Sequence, residues 1–307
     1  MSPRIISAWI HVLVLGGVCV GIMIASFVTG GTWGWVGGLF AIVLLLTLYA
    51  AYMANWAIPG WLANLGPVNL NDPDTDETHG EAIIPGDRKV RQPLSTWSDL
   101  GFILFGMMTL FLLGDSHGPP NNPMIAPSVN TVSGIAILYG LIVIFMGPGS
   151  MYYHASLRRW GGLLDNLSMY LWALFVLVYD IARVARFDDW VFYLIFVLAV
   201  IGIFMLRLFL PGSGTVIFGV LVGGYIIFGL FVLYGQLNGV VREQGWFWAG
   251  IVSFALAMLF WILSNDRPIK ISWLTGESVI QGHAVFHLLS ALTTFFVFFY
   301  LRSEIIL

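Results

Sequence analysis

The stretch 150-SMYYHASLRRWGGLLDNLSMYLW-172 sets a serine, a histidine and an aspartate, Ser150, His154 and Asp165, among long apolar runs. Polar groups are costly to bury in lipid, so three of them in such surroundings need a reason. Composition decides whether lipid is the solvent. Hydrophobic residues make up 59% of the 307-residue chain and charged residues only 9%, against about 25% charged in soluble domains. So few charges cannot cover a water-facing surface. The net charge of -3 implies no electrostatic partner, and no basic tract suggests nucleic acid. The single cysteine, Cys19, can form neither an internal disulfide nor a cysteine metal site.

Outward from that stretch, the chain divides into apolar segments of the length that spans a bilayer, about 20 residues. Nine are expected: 5–28, 34–57, 95–114, 129–147 with a continuation toward 157, 163–184, 189–211, 213–235, 245–264 and 280–302. Backbone groups in lipid must be satisfied within the segment, which makes these helices. They are too long and too uniformly apolar for barrel strands. The expected architecture is therefore an all-α polytopic membrane protein. Residues 1–57 form two N-terminal helices, 58–94 a polar loop, and 95–307 a seven-helix core. Lys and Arg counts in the loops put the N-terminus and the polar loop on the cytoplasmic side and the C-terminus outside.

This topology brings Ser150 and His154, at the end of the fourth helix, to the membrane level of Asp165, expected in the first turn of the fifth. His283 and His287 enter the ninth helix at that level. Residues four apart share a helix face, so Ser150 pairs with His154 and His283 with His287. Three histidines and an aspartate at one depth suggest a metal. Neutral imidazole suits zinc, whose catalytic sites typically use three protein ligands plus a water of pKa about 7. Asp165 could move the proton from that water to a leaving group, and Ser150 could donate to a developing oxyanion. The alternatives are interhelical hydrogen-bonding glue, a zinc that only holds helices together, and a proton pathway. A pathway would need titratable groups at both membrane faces, whereas those singled out here gather on one. Asp180 and Arg183, near the outer end of the fifth helix, are expected to snorkel or pair locally.

Ser150-x3-His154, Asp165 after ten intervening residues, and the late His283-x3-His287 pair resemble the CREST superfamily of integral membrane hydrolases. The wording around Ser150 and Asp165 is most like its alkaline ceramidase branch. The stretch 92-QPLSTWSDLGFILFG-106, with Ser95, Thr96, Ser98 and Asp99, is similar to that branch's first core helix. The resemblance covers about 80–303. It implies a seven-helix core and one catalytic zinc on His154, His283 and His287, with Ser150 and Asp165 beside the metal-bound water. It also implies cleavage of the amide of ceramide or a related N-acyl lipid, with a membrane lipid as partner. A receptor-like protein with a structural zinc is the alternative. The branch also carries a calcium site. Here Glu81 matches one of its acids, but Thr78, Ile83 and Gln92 stand at other ligand positions, so no calcium site of that type is expected. The alternating run Asp72, Asp74, Asp76 lacks the turn glycine and closing glutamate of an EF-hand loop, and reads as a solvated acidic loop.

Overall fold

The computed structural model describes residues 3–29, 32–57, 81, 83–84, 90–113, 124, 133–210, 212–235, 237–264, 274–275 and 278–306. The acidic run Asp72, Asp74, Asp76, with Thr78, lies outside the described residues. The elements are α1 (Pro3–Thr29), α2 (Thr32–Ala57), α3 (Pro93–Ser98), α4 (Leu100–Leu112), α5 (Gly134–Ser156), α6 (Arg159–Ala185), α7 (Asp189–Phe209), α8 (Gly214–Gly235), α9 (Gln244–Ser264) and α10 (Gly282–Arg302). Two-residue strands β1 (Val240–Val241) and β2 (Ile305–Ile306) pair antiparallel. With α3 and α4 counted as one stretch, nine segments among the described residues are long and apolar enough to cross a membrane. The chain is an all-α polytopic membrane protein.

The helices pack in a sequence α9, α10, α4, α5, α6, α8, with α7 against α6, and α1 and α2 against α3, α4 and α5. Large apolar side chains left outside, such as Phe27, Val28 and Phe209 at 72%, 77% and 74% exposure, belong to α1 and α7, which face lipid. Inside the bundle, small residues permit close approach, as they do generally where no hydrophobic force drives helices together. A side chain at Gly106 would collide with the backbone of Gly140 and Ile144 on α5, and one at Gly147 with the Asp99 carbonyl.

Three boundaries differ from expectation, each for a local reason. The span expected from 95 to 114 tightens at Asp99, where Phe102 N–H donates to the Asp99 carbonyl at 3.0 Å in a 3₁₀-type turn. Helix α5 starts at the Ser133 cap, whose hydroxyl accepts from Ile135 N–H at 3.2 Å. It then runs through Pro148 to Leu157, which takes the left-handed conformation (φ 48°) and closes the helix. Helix α6 begins at Arg159 rather than 163, so Asp165 lies in its second turn, not its first. Gly161 and Gly162 stay helical because they pack on Tyr153 of α5, where Gly161 has no room for a side chain beside the Tyr153 backbone.

Asp180, expected to snorkel or pair locally along with Arg183, is fully buried, and both residues meet partners distant in sequence. Arg242, after β1, bonds Asp180 through Nη1 at 2.5 Å and Glu304, before β2, through Nη2 at 2.6 Å. Arg183 Nε meets the other Glu304 oxygen at 2.6 Å. The Arg242 guanidinium lies 4.9 Å from the centre of the Tyr300 ring. Burial alone would lower the Arg242 pKa, but Asp180 and Glu304 beside it hold it charged, well above the ordinary guanidinium value. Titratable groups thus occur at both ends of the bundle. The ion-paired cluster at the far end sets Arg183 and Arg242 against Asp180 and Glu304, and it ties α6 to the β1–β2 pair rather than forming a chain of carriers. Arg242→Gln, which leaves Asp180 and Glu304 buried and under-compensated, is expected to destabilise the protein by about 3–5 kcal/mol, read from denaturant unfolding in detergent.

Candidate metal centre

At the other end of the bundle, His154, His283 and His287 are all buried. Each offers a nitrogen within 4.8 Å of the others. Their ring centres are 4.4–4.9 Å apart. His154 reaches this place because α5 continues helically past Pro148, and His283 and His287 because α10 starts at Gly282. The structure therefore brings together the three histidines that the sequence singled out, from two distant stretches of chain.

The hydrogen bonds on the far side of the rings decide what the near side can do. His154 Nδ1 lies 2.7 Å from Gln92 Oε1. An amide oxygen only accepts, so Nδ1 carries the proton and Nε2 presents a lone pair. His287 Nδ1 lies 3.1 Å from the Ser95 carbonyl and 3.0 Å from both Ser98 Oγ and Asp99 Oδ1. The Ser98 hydroxyl donates to the Ser95 carbonyl at 2.8 Å and so accepts from His287. His287 Nδ1 is therefore also the protonated nitrogen, and its Nε2 is left for a cation. His154 Nε2 and His283 Nε2 stand 3.3 Å apart, matching the spacing of about 3.3 Å between two nitrogens each 2.0–2.1 Å from a tetrahedral zinc. Donor chemistry, tautomers and spacing all fit a bound metal ion, and neutral imidazoles in this number suit zinc.

Ser150 and Asp165 line the same cavity as His283 and His287. The cavity, about 290 Å³, runs inward past Phe102, Met146, Trp172, Thr293 and Thr294. All five residues expected at the site thus gather at one end of the bundle.

Two contributors escaped the sequence reading as site residues. Asp99 was seen only as part of a helix resemblance, yet it is fully buried against His287. Gln92, weighed only as a replaced calcium ligand, orients His154. Glu81 likewise has a structural task. Its two oxygens accept from Leu94 N–H, Ser95 N–H and Ser95 Oγ at 3.0, 2.9 and 2.8 Å, capping α3 with negative charge. The signal that could have found Asp99 is its own charge. An acid in a segment of transmembrane length is functional by default.

Comparison with known proteins adds one finding. A family model described as Ceramidase matches residues 93–304, more than half of the chain. No curated protein matches it. Asp99→Asn and Gln92→Leu, which disturb the supports of His287 and His154 without touching a ring, are each expected to weaken metal affinity about 10- to 100-fold, measured by competition with a chromogenic chelator.

Proposed function

The chain belongs to the ceramidase family, and on that premise we propose that it is a zinc-dependent intramembrane hydrolase, similar to alkaline ceramidases, that cleaves the amide of ceramide or a related N-acyl lipid. The observation that carries the zinc reading is the pair of fixed tautomers, which turn two imidazole lone pairs toward a third histidine beside a lined cavity. Zinc on His154, His283 and His287 would polarise a carbonyl and acidify a water at neutral pH.

The chain's own residues supply the rest. Asp165 accepts the proton of the attacking water and delivers it to the departing nitrogen. The C–N bond breaks, the water oxygen stays on the acyl carbon, and the products are a fatty acid and an amine. Ser150, which lines the cavity beside Asp165, donates to the oxygen on which negative charge develops. Asp99, with Oδ1 3.0 Å from His287 Nδ1, keeps a carboxylate beside that ring. The apolar wall of the cavity takes the acyl chain. A purely structural zinc would have a closed shell. Here His283, His287, Ser150 and Asp165 all line open space, which favours the hydrolase. In this reading the hydrolase is the seven-helix unit 95–307, its metal lies on the cytoplasmic side with the N-terminus, and activity needs no calcium.

Purified protein is expected to hold about one zinc, and His154→Ala, His283→Ala and His287→Ala each to lose it. Asp165→Asn is expected to keep the metal while amide release from a fluorescent ceramide falls by about 10²–10⁴. Retained zinc in all three histidine variants, or full activity of Asp165→Asn, would overturn this assignment.

A further inference from the structure

Helix α7 has a one-sided composition. Its buried residues are Phe192, Phe196 and Arg207. Phe196 and Arg207 are eleven residues apart, three turns, so they share the inward face. The neighbours of Arg207 face lipid: Leu206, Leu208 and Phe209 are 42%, 46% and 74% exposed. Arg207 itself is 6% exposed. An arginine in the last turn of a spanning helix can snorkel to the membrane surface, which would leave it exposed. This one instead lines the cavity that holds Ser150, Asp165, His283 and His287. A cation buried in a membrane bundle is expensive and marks a site where negative charge is met.

Its place in the cavity says which part of a ligand it meets. Chain direction alternates from helix to helix, so the end of α7 lies at the same end of the bundle as the end of α5 and the starts of α6 and α10. Asn166 and Thr215 line the cavity at that end. The opposite extremity reaches Thr294 on α10, seven residues beyond His287, about 10 Å deeper at 1.5 Å per residue. An N-acyl lipid with its amide at the three histidines therefore sends its acyl chain down toward Thr294 and its amine portion toward the polar end that contains Arg207. The guanidinium carries five N–H donors in a planar fork suited to carboxylate or phosphate, so a contact within the chain still leaves donors for a ligand.

Building on the hydrolase reading, we propose that Arg207 is a specificity residue, and that the preferred substrates are N-acyl lipids whose amine portion carries an anionic group, a carboxylate or a phosphate, rather than neutral ceramide. Charge-assisted hydrogen bonds of this kind are worth about 10- to 100-fold.

The test uses the purified full chain and two matched pairs that differ in headgroup charge: N-palmitoylglycine against N-palmitoylethanolamine, and ceramide 1-phosphate against ceramide. The wild type is expected to favour the anionic member of at least one pair by about 10- to 100-fold in kcat/KM. The pair that responds distinguishes carboxylate from phosphate. Arg207→Gln is expected to bring that ratio to about one, and Arg207→Lys to retain part of it. A wild-type ratio near one in both pairs overturns the proposal, and so does an Arg207→Gln variant that slows both members in parallel. Thermal stabilisation by the same four lipids gives a readout independent of turnover. If nothing is hydrolysed but the anionic lipids stabilise the wild type more, and the difference vanishes in Arg207→Gln, the hydrolase reading fails and the anion site stands. If ceramide is cleaved with no charge preference in rate or stabilisation, the hydrolase stands and the anion site fails. Should Arg207→Gln not accumulate as folded protein, the wild-type ratios and Arg207→Lys decide.

Discussion

Two oxygen acceptors, the Gln92 side-chain amide and the Ser95 carbonyl, set the chemistry of the three-histidine end. Each takes the Nδ1 proton of one imidazole, His154 or His287, and so turns the Nε2 lone pair of that ring toward a common point. Both acceptors stand at the start of the third span, a few residues apart. That short stretch is anchored in turn. Gln92 N–H donates to the His154 carbonyl at 3.1 Å and Arg91 N–H to the Ala155 carbonyl at 3.1 Å, while Glu81 caps the helix that follows. The beginning of α3 is thus tied by backbone to the end of α5 and by side chains to α10. A change anywhere in this knot moves a lone pair before it moves a helix.

The far end of the bundle is held by a different kind of interaction. Asp165 and Asp180 are fifteen residues apart on α6, about 22 Å along its axis. One end of that helix carries the proposed proton carrier, and the other is fastened through Arg242 to Glu304 and the strand pair. A buried ion pair contributes little net stability against an apolar alternative, but breaking one is costly. Its contribution is therefore geometric. It fixes the far ends of α6 and α10, the helices whose opposite ends supply Asp165, His283 and His287.

This division explains how much was legible in sequence. The spans and the three histidines were, because hydropathy is a local property and a histidine in an apolar run is conspicuous. Asp165 was, although its turn was not, since the Gly161–Gly162 pair looks like a break until Tyr153 packs against it. Asp99 and Gln92 were not recognised as parts of the site. Their partners lie 188 residues away at His287 and 62 at His154, and no spacing rule links such positions. Arg242 and Glu304 each look like a loop charge at a membrane surface. Only folding reveals that β1 and β2 bring them under cover together. Polar residues conspicuous within an apolar run were readable; those that look like ordinary helix-end or loop residues until a distant partner meets them were not.

The same reasoning applies to the two helices before the matched region. Helix α3 is six residues long, too short to be stable alone, since helix nucleation is costly and isolated short helices are marginal. It nonetheless carries Ser95 and Ser98, on which His287 depends. Helix α1 packs along it. Ala8 lies buried against Leu94, Trp97 and Ala284, the residue after His283. The Ser7 hydroxyl donates to the Val279 carbonyl, just before α10, at 3.0 Å. The amino-terminal helix thus braces, from the lipid side, the two segments that hold His287 in place, and it does so through residues as small as alanine and serine. Small residues there are a condition of the fit. Van der Waals contact at close range is the main attraction between helices in lipid, and any bulk at position 8 would push α1 away from the segments it supports.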